Sequence, residues 1–336
     1  MALMPLEFAV LQAAEYYNEF LALIPKAKKR IVLSAMVVRS GPKTGKILQA
    51  MVSAARRNVK VHVLADVFCQ HAMVSRPDYL SAEGFRHECA ETRELLNEIH
   101  ALGGTVDWVG RVGLNPYAGR YHAKVSIVDD HVFTFGGVNF CDDAFGNIDY
   151  MLYAKQAALA DRLERLVADN GKGFPPADLR VQLDAHATLL FDAGRKGESV
   201  IYSRATELAA AAKTVTYVSQ MCPSGMLGQR IKQTAHTCYF TRPEQTGIRP
   251  DTLAQLWDGW RTGIKNQYEG DAYVHAKVIL YELKDGTKAV LSGSHNFSYR
   301  GVAFGTKEIA LESSDPELWR KLHDIVYAVA TASGTR

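Results

Sequence analysis

The stretch YHAKVSIVDD at residues 121–130 recurs as VHAKVILYEL at residues 274–283. Two further segments recur in the same order. FGGVNF (135–140) returns as SGSHNF (292–297), and NIDYML (147–152) as TKEIAL (306–311). Upstream, AKKRIVLSAMVV (27–38) and AAKTVTYVSQMCP (211–223) each read as a helix end running into a strand. A helical pattern follows each, GKILQAMVSAARR (45–57) and GMLGQRIKQTA (225–235), and then a second strand, VKVHVLAD (59–66) and TCYFTRP (237–243). The chain is therefore an internal duplication. The pattern predicts an α/β fold of two repeated units, mixed sheets flanked by helices, related by a pseudo-twofold axis.

The first unit is expected over 1–170 and the second over 179–336. The linker, 171–178, falls in the Gly- and Pro-rich NGKGFPPAD (170–178). Helical patterns close the units at 155–168 and 315–329, the latter with Asp315 as N-cap and Pro316 at N1. The copies differ in length: 93 residues separate Lys29 from His122, but 62 separate Lys213 from His275. Most of the excess falls in 67–100, which has no evident counterpart and is a candidate lid over a cleft.

On a strand, residues two apart share a face. His122, Lys124 and Ser126 thus point one way, and Tyr121, Ala123, Val125 and Ile127 point toward a core. The Cα atoms of His122 and Lys124 stand about 6.5 Å apart, close enough for one phosphate to touch both. His275 and Lys277 repeat the arrangement. Each return strand ends in glycine and asparagine. Gly137 with Asn139 and Ser294 with Asn296 are candidate phosphate-binding groups, through bare N–H, hydroxyl and amide donors. Asp149 and Glu308 stand 10 and 12 residues beyond the asparagines. A carboxylate on Nδ1–H would fix the tautomer of each histidine; which carboxylate serves which histidine stays open.

Two histidines, two lysines and two asparagines around one cleft suit displacement at a phosphodiester. One imidazole attacks phosphorus and holds the phosphoryl group covalently. The other protonates the departing oxygen and later deprotonates the acceptor. Lysines and amides neutralise charge on the non-bridging oxygens. No cofactor and no metal are expected, because fixed cations do the clamping. A single His-x-Lys on a strand carries little weight, since exposed histidines and lysines are common. A purely structural reading leaves unexplained why the polar residues repeat better than their apolar neighbours.

The pattern His122-x-Lys124-x4-Asp129-x6-Gly136-Gly137-x-Asn139 resembles the signature of the phospholipase D superfamily. The second half resembles its partner motif, except that Glu282 stands at the aspartate position and the hairpin is longer. The resemblance implies a two-lobed fold with one shared site, active as a single chain, and a phosphohistidine intermediate without metal. It implies attack by His122 and acid–base work by His275, with Asp129 and His295 as secondary candidates. The wording is most similar to the phosphatidyltransferase branch, which includes cardiolipin, phosphatidylglycerophosphate and phosphatidylserine synthases. Its partners would be a phospholipid and an alcohol acceptor (water, glycerol, serine or a second lipid). The alternative within the superfamily is a nuclease or DNA phosphodiesterase. Its single-stranded substrate would run along Arg56, Arg57, Arg111, Arg120 and Arg300 and stack on Tyr117 or Tyr299.

Composition limits the remaining choices. The 336 residues carry a net charge of +3, are 22% charged and 47% hydrophobic, and so match neither a disordered nor a fibrous chain. Near-neutral charge disfavours a dedicated duplex-DNA binder. The five cysteines read as reduced thiols of a cytoplasmic protein. Cys69, His71, His87 and Cys89 form a candidate zinc cluster of unusual spacing. Residues 1–25 read as neither signal peptide nor membrane span. Their aromatic face (Phe8, Leu11, Tyr16, Phe20, Leu23), beside Lys26, Lys28, Lys29 and Arg30, is a candidate for peripheral membrane contact.

Overall fold

The computed structural model describes residues 6–71, 81–110, 115, 117–172, 177–245 and 249–332. The first unit runs β1 (Ala9–Gln12), α1 (Ala13–Leu23), β2 (Arg30–Ala35), α2 (Thr44–Arg56), β3 (Lys60–Asp66), α3 (Ala82–Ala101), β4 (Thr105–Val109), β5 (Val125–Val128), β6 (His131–Thr134), β7 (Tyr150–Lys155) and α4 (Ala157–Gly171). The second runs β8 (Leu179–Gln182), β9 (Ala187–Ala193), α5 (Val200–Ala211), β10 (Ala212–Ser219), α6 (Gly225–Lys232), β11 (Ala235–Phe240), α7 (Arg249–Thr262), β12 (Val278–Leu283), β13 (Lys288–Gly293), α8 (Tyr299–Phe304), β14 (Lys307–Ser313) and α9 (Pro316–Ala332).

Each unit builds a seven-stranded mixed sheet. The orders are β1-β7-β6-β5-β2-β3-β4 and β11-β10-β12-β13-β14-β9-β8. Reading the second in reverse superposes six strands, leaving β4 and β8 as unshared outer strands. In both units the first two strands after the opening helix are parallel, joined through α2 or α6; the first unit adds β4 parallel to β3, and the remaining neighbours run antiparallel. The helix between parallel strands is what a crossover connection requires. α2 buries Ile47, Leu48, Met51, Val52 and Ala55, a stripe of helical period.

The alternation of the repeated stretch decides where the sheets meet. Tyr121, Ala123, Val125 and Ile127 of one unit, and Val274, Ala276, Val278 and Leu280 of the other, share one buried cluster with apolar side chains of α4 and α9. The outer faces of the sheets are covered separately, the first by α1 and α2, the second by α5 and α6.

Three expectations change. The N-terminal aromatic face does not meet solvent: Phe8, Tyr16, Phe20 and Leu23 are buried, with Tyr16 and Phe20 against Phe133. A helix with one apolar stripe has found the nearer partner, the sheet. The excess at 67–100 is largely a crossover element. Residues 72–80 lie outside the described residues, but α3 packs beside α2 and delivers the chain to β4, parallel to β3. The second unit has its own helix at this place, α7, without an added strand. The cysteine–histidine cluster does not assemble: Cys69 and Cys89 are buried, whereas His71 and His87 face solvent. Burial pushes the Cys69 thiol up to about 11. Part of the expected linker, 173–176, also lies outside the described residues.

Candidate active site

His122 and Lys124 do not stand within the strand proper. They occupy the extended run leading into β5, as His275 and Lys277 do before β12. What pairs with this lead-in is the opposite unit. The His122 amide donates to the Lys307 carbonyl at 2.8 Å, and Lys307 donates to the Arg120 carbonyl at 2.8 Å. Reciprocally, the His275 amide donates to the Ile148 carbonyl at 3.0 Å, and Ile148 donates to the Tyr273 carbonyl at 2.9 Å. The residues after these pairing partners are Glu308 and Asp149.

The carboxylates are therefore exchanged between the repeats. Nδ1 of His122 stands 2.9 Å from Oε2 of Glu308, and Nδ1 of His275 stands 2.6 Å from Oδ2 of Asp149. All four side chains are buried. The sequence left this assignment open, because the two partners are 186 and 126 residues apart along the chain. With Nδ1 engaged, each imidazole has Nε2 left for chemistry. Burial, opposed by Glu308, pulls His122 down to about 4. Burial together with Lys277, Lys124 and His122 lowers His275 well below the ordinary range. Those mutual effects place the histidines and lysines of both units in one cluster. Burial pushes Glu308 up, but His122 and Lys124 hold it down to about 2. Asp149 is raised by burial to about 7.

Lys124 donates to the His122 carbonyl at 2.6 Å, and Lys277 to the His275 carbonyl. Both ammonium groups are fully buried, and burial lowers them to about 7 and about 8. Two neighbouring buried cations are costly; Glu308 and Asp149 offset part of that cost, and a bound anion would offset more. Oδ1 of Asn139 and Oδ1 of Asn296 are both buried without a hydrogen-bond partner. The Asn296 loop is itself fixed, since its carbonyl accepts from Ser219 Oγ at 3.0 Å and Tyr217 Oη at 3.2 Å.

Gly137 and Ser294, expected on the phosphate, sit behind the histidines instead. The Ser294 hydroxyl donates to Oε2 of Glu308 at 2.5 Å and accepts from the Ile309 amide. A Cβ on Gly137 would lie 2.7 Å from Oδ1 of Asp149 and 2.7 Å from the His275 carbonyl. The shorter carboxylate thus takes the place that a Ser294-like side chain fills in the other unit. Asp129 lies at the far end of β5, roughly 23 Å from His122 by strand rise. It accepts from the amides of Lys28, Lys29 and Arg30 and fixes the entry to β2. Its counterpart Glu282 accepts from the Thr214 hydroxyl. His295 is neither solvated nor placed as a ligand: it is buried against Tyr202 and Phe297, and its Nδ1 accepts from the Phe297 amide at 2.7 Å.

Sequence reasoning missed the brace behind His122. Asp66, fully buried, accepts from Arg120 Nη1 at 2.7 Å, the Tyr121 amide at 2.7 Å and the Phe68 amide at 2.9 Å. An aspartate ending the apolar run Val63–Ala65 of β3 was the available signal. The arginines proposed for a nucleic-acid groove are engaged elsewhere: Arg120 on Asp66, Arg300 on Asp258, Arg56 on Glu98, and Arg57 on the Ile24 and Pro25 carbonyls. Arg111 lies outside the described residues.

Two carboxylate-anchored imidazoles and two buried ammonium groups, contributed reciprocally by a duplicated α/β fold, define a twin-histidine phosphodiesterase-type architecture. Residues 20–169 match the family described as cardiolipin synthase, PLD-like domain. Over these residues, the first unit, the chain is similar to the phospholipase D superfamily. Its fold is similar to the crystal structure of phosphatidylserine synthase from Haemophilus influenzae Rd KW20. The TM-score is 0.69 at 17% identity, over 98% of this chain and 88% of that one. It is also similar to polyphosphate kinase from Porphyromonas gingivalis, with TM-score 0.60 at 12% identity, over 95% of this chain and 46% of that one. No curated protein matches the sequence.

Proposed function

We propose that this protein is a phosphatidyltransferase that moves a phosphatidyl group to an alcohol acceptor through a phosphohistidine, in the manner of cardiolipin synthase. The observation that carries the reading is the reciprocal pair of histidine–carboxylate contacts, which leaves two Nε2 atoms facing one cluster with two buried lysines. Nε2 of His122 attacks phosphorus, and the bond from phosphorus to the departing headgroup oxygen breaks as the Asp149–His275 pair supplies that oxygen's proton through His275 Nε2, the pair's proton being held by Asp149, which burial raises to about 7. The acceptor hydroxyl then gives its proton to His275 and attacks phosphorus, and the phosphorus–nitrogen bond breaks to restore His122. Lys124, Lys277 and the two asparagine amides balance charge on the non-bridging oxygens. The assignment of attack to His122 is supported by Glu308, whose charge is retained at any working pH and raises the basicity of the far ring nitrogen. Engagement of the groove arginines by other groups supports lipid over nucleic acid. Among the described residues no helix is long and apolar enough to cross a membrane; the proposed enzyme is cytoplasmic and meets lipid from the aqueous side.

The test is product analysis with a labelled phospholipid and mixed acceptors (glycerol, serine, a second lipid, water), run beside single-stranded DNA. Transfer of the phosphatidyl label to an alcohol is expected. Cleavage of DNA with the lipid untouched would overturn the reading. His122→Ala should abolish a phosphoprotein trapped by denaturant at alkaline pH, where the phosphorus–nitrogen bond survives; its loss only in His275→Ala would reverse the polarity.

A further inference from the structure

α7 is built inside out. Its inward positions are polar: Gln255 and Thr262 are buried, and Asp258 pairs with Arg300 at 2.8 Å. Its outward positions are apolar. Leu253 is 68% exposed, Leu256 54%, Trp257 57% and Trp260 75%. The spacing i, i+3, i+4, i+7 places these four on one face, opposite Gln255 and Thr262. The two indoles lie together, with ring centroids 5.2 Å apart. A water-facing helix normally shows the reverse arrangement, and a gathered patch of this kind marks an interaction surface.

We infer that this face of α7 docks on a lipid bilayer and sets the active site at its surface. The inference rests on the phosphatidyltransferase reading for its substrate, but the surface is argued separately. Tryptophan is the side chain most suited to the boundary between headgroups and acyl chains, where its ring is apolar and its N–H stays wet. Beside the patch stand exposed cations: Arg261 on the last turn of α7, Lys265 just beyond it, and Lys232, whose Nζ reaches the Gly263 turn. Apolar and aromatic side chains rimmed by cations are complementary to an anionic membrane surface. The patch is also tied to the site. Arg300, held by Asp258 of α7, opens α8 four residues beyond Asn296, and the chain after α7 leads to His275. With the N-terminal aromatic face buried in the sheet, α7 carries the membrane contact.

The test uses the full chain and sedimentation with vesicles of phosphatidylcholine, with and without phosphatidylglycerol. Binding is expected to need phosphatidylglycerol and to weaken with added salt. The double substitution Trp257→Ser and Trp260→Ser is expected to lower vesicle partitioning at least tenfold, on the order expected for removing two interfacial anchors. It should leave the thermal melt and the turnover of a water-soluble short-chain phospholipid unchanged. Unaltered vesicle binding by the double variant would overturn the inference. So would a concentration-dependent dimer, or binding to single-stranded DNA, that the double variant abolishes while the parent ignores vesicles. Vesicle binding through α7 without turnover of any phospholipid would sink the proposed reaction and leave the docking face standing. Turnover of soluble lipid without vesicle binding would do the opposite.

Discussion

Protonation at four side chains sets the pH range in which this site works. The free protein needs His122 neutral, which burial grants above about pH 4, and Lys124 charged, which burial allows only below about pH 7. Activity measured as kcat/KM reports the free protein. It should rise with pH through about 4 as His122 loses its proton, and fall through about 7 as Lys124 loses its own and the Asp149–His275 pair loses the proton it donates. Bound phosphate favours the charged lysine, so the alkaline limb of kcat should lie at higher pH than that of kcat/KM. Coincident alkaline limbs would show that Lys124 does not face the phosphate. Glu308→Gln tests the anchor directly. The amide presents a donor where His122 Nδ1–H needs an acceptor, and the ring loses the tautomer that leaves Nε2 bare. A loss of roughly 10²- to 10⁴-fold in kcat is expected, the range of a general acid–base contribution. An unchanged melting temperature in the same variant would assign the loss to chemistry.

At the scale of elements, the glycines before the two asparagines matter for backbone contact. A Cβ on Gly136 would stand 1.9 Å from the Tyr150 carbonyl, and one on Gly293 would stand 2.3 Å from the Ile309 carbonyl. These are the points where the return strand crosses the neighbour that carries Asp149 or Glu308. Gly136→Ala should therefore destabilise by at least about 1–3 kcal/mol, as overpacked sites do. Gly146→Ala, with nothing within 4 Å of the new methyl, should stay within about 0.5 kcal/mol. Equal midpoints in urea for the two variants would refute the close-approach argument. The same strands show what could be read in advance. Alternation along 121–128 and 274–281 was legible, because one face of each lead-in is apolar and both faces lie at a sheet. The role of α1 was not, because an apolar stripe looks the same whether a sheet or a membrane covers it. The carboxylate exchange was also hidden. It follows from backbone pairing between units, and the local pattern of a strand says nothing about a partner more than a hundred residues away.

The whole molecule behaves as one body because its centre belongs to neither half. The buried cluster between the sheets takes Val125, Ile127 and Leu152 from one unit and Val278, Leu280 and Leu311 from the other. Polar links cross the same boundary: the Tyr150 hydroxyl meets Ser292 Oγ at 2.6 Å, Ser292 donates to the Phe135 carbonyl at 2.6 Å, and the Leu6 amide donates to Asp184 at 2.7 Å. Separating the units would expose that apolar surface and leave each histidine without its carboxylate. Independent unfolding of one half is thus disfavoured by burial and by the site together. Calorimetry should show a single endotherm with matching calorimetric and van't Hoff enthalpies, despite a length that often gives two domains. Ser292→Val, which strands the Phe135 carbonyl and leaves the Tyr150 hydroxyl only its long contact to the Lys277 carbonyl, should lower that one transition as a whole, by about 1–3 kcal/mol for the buried groups left poorly paired. Two resolved endotherms in the parent, or a substitution at Ser292 that moves only one of them, would mean that the halves fold separately and merely touch at the histidines.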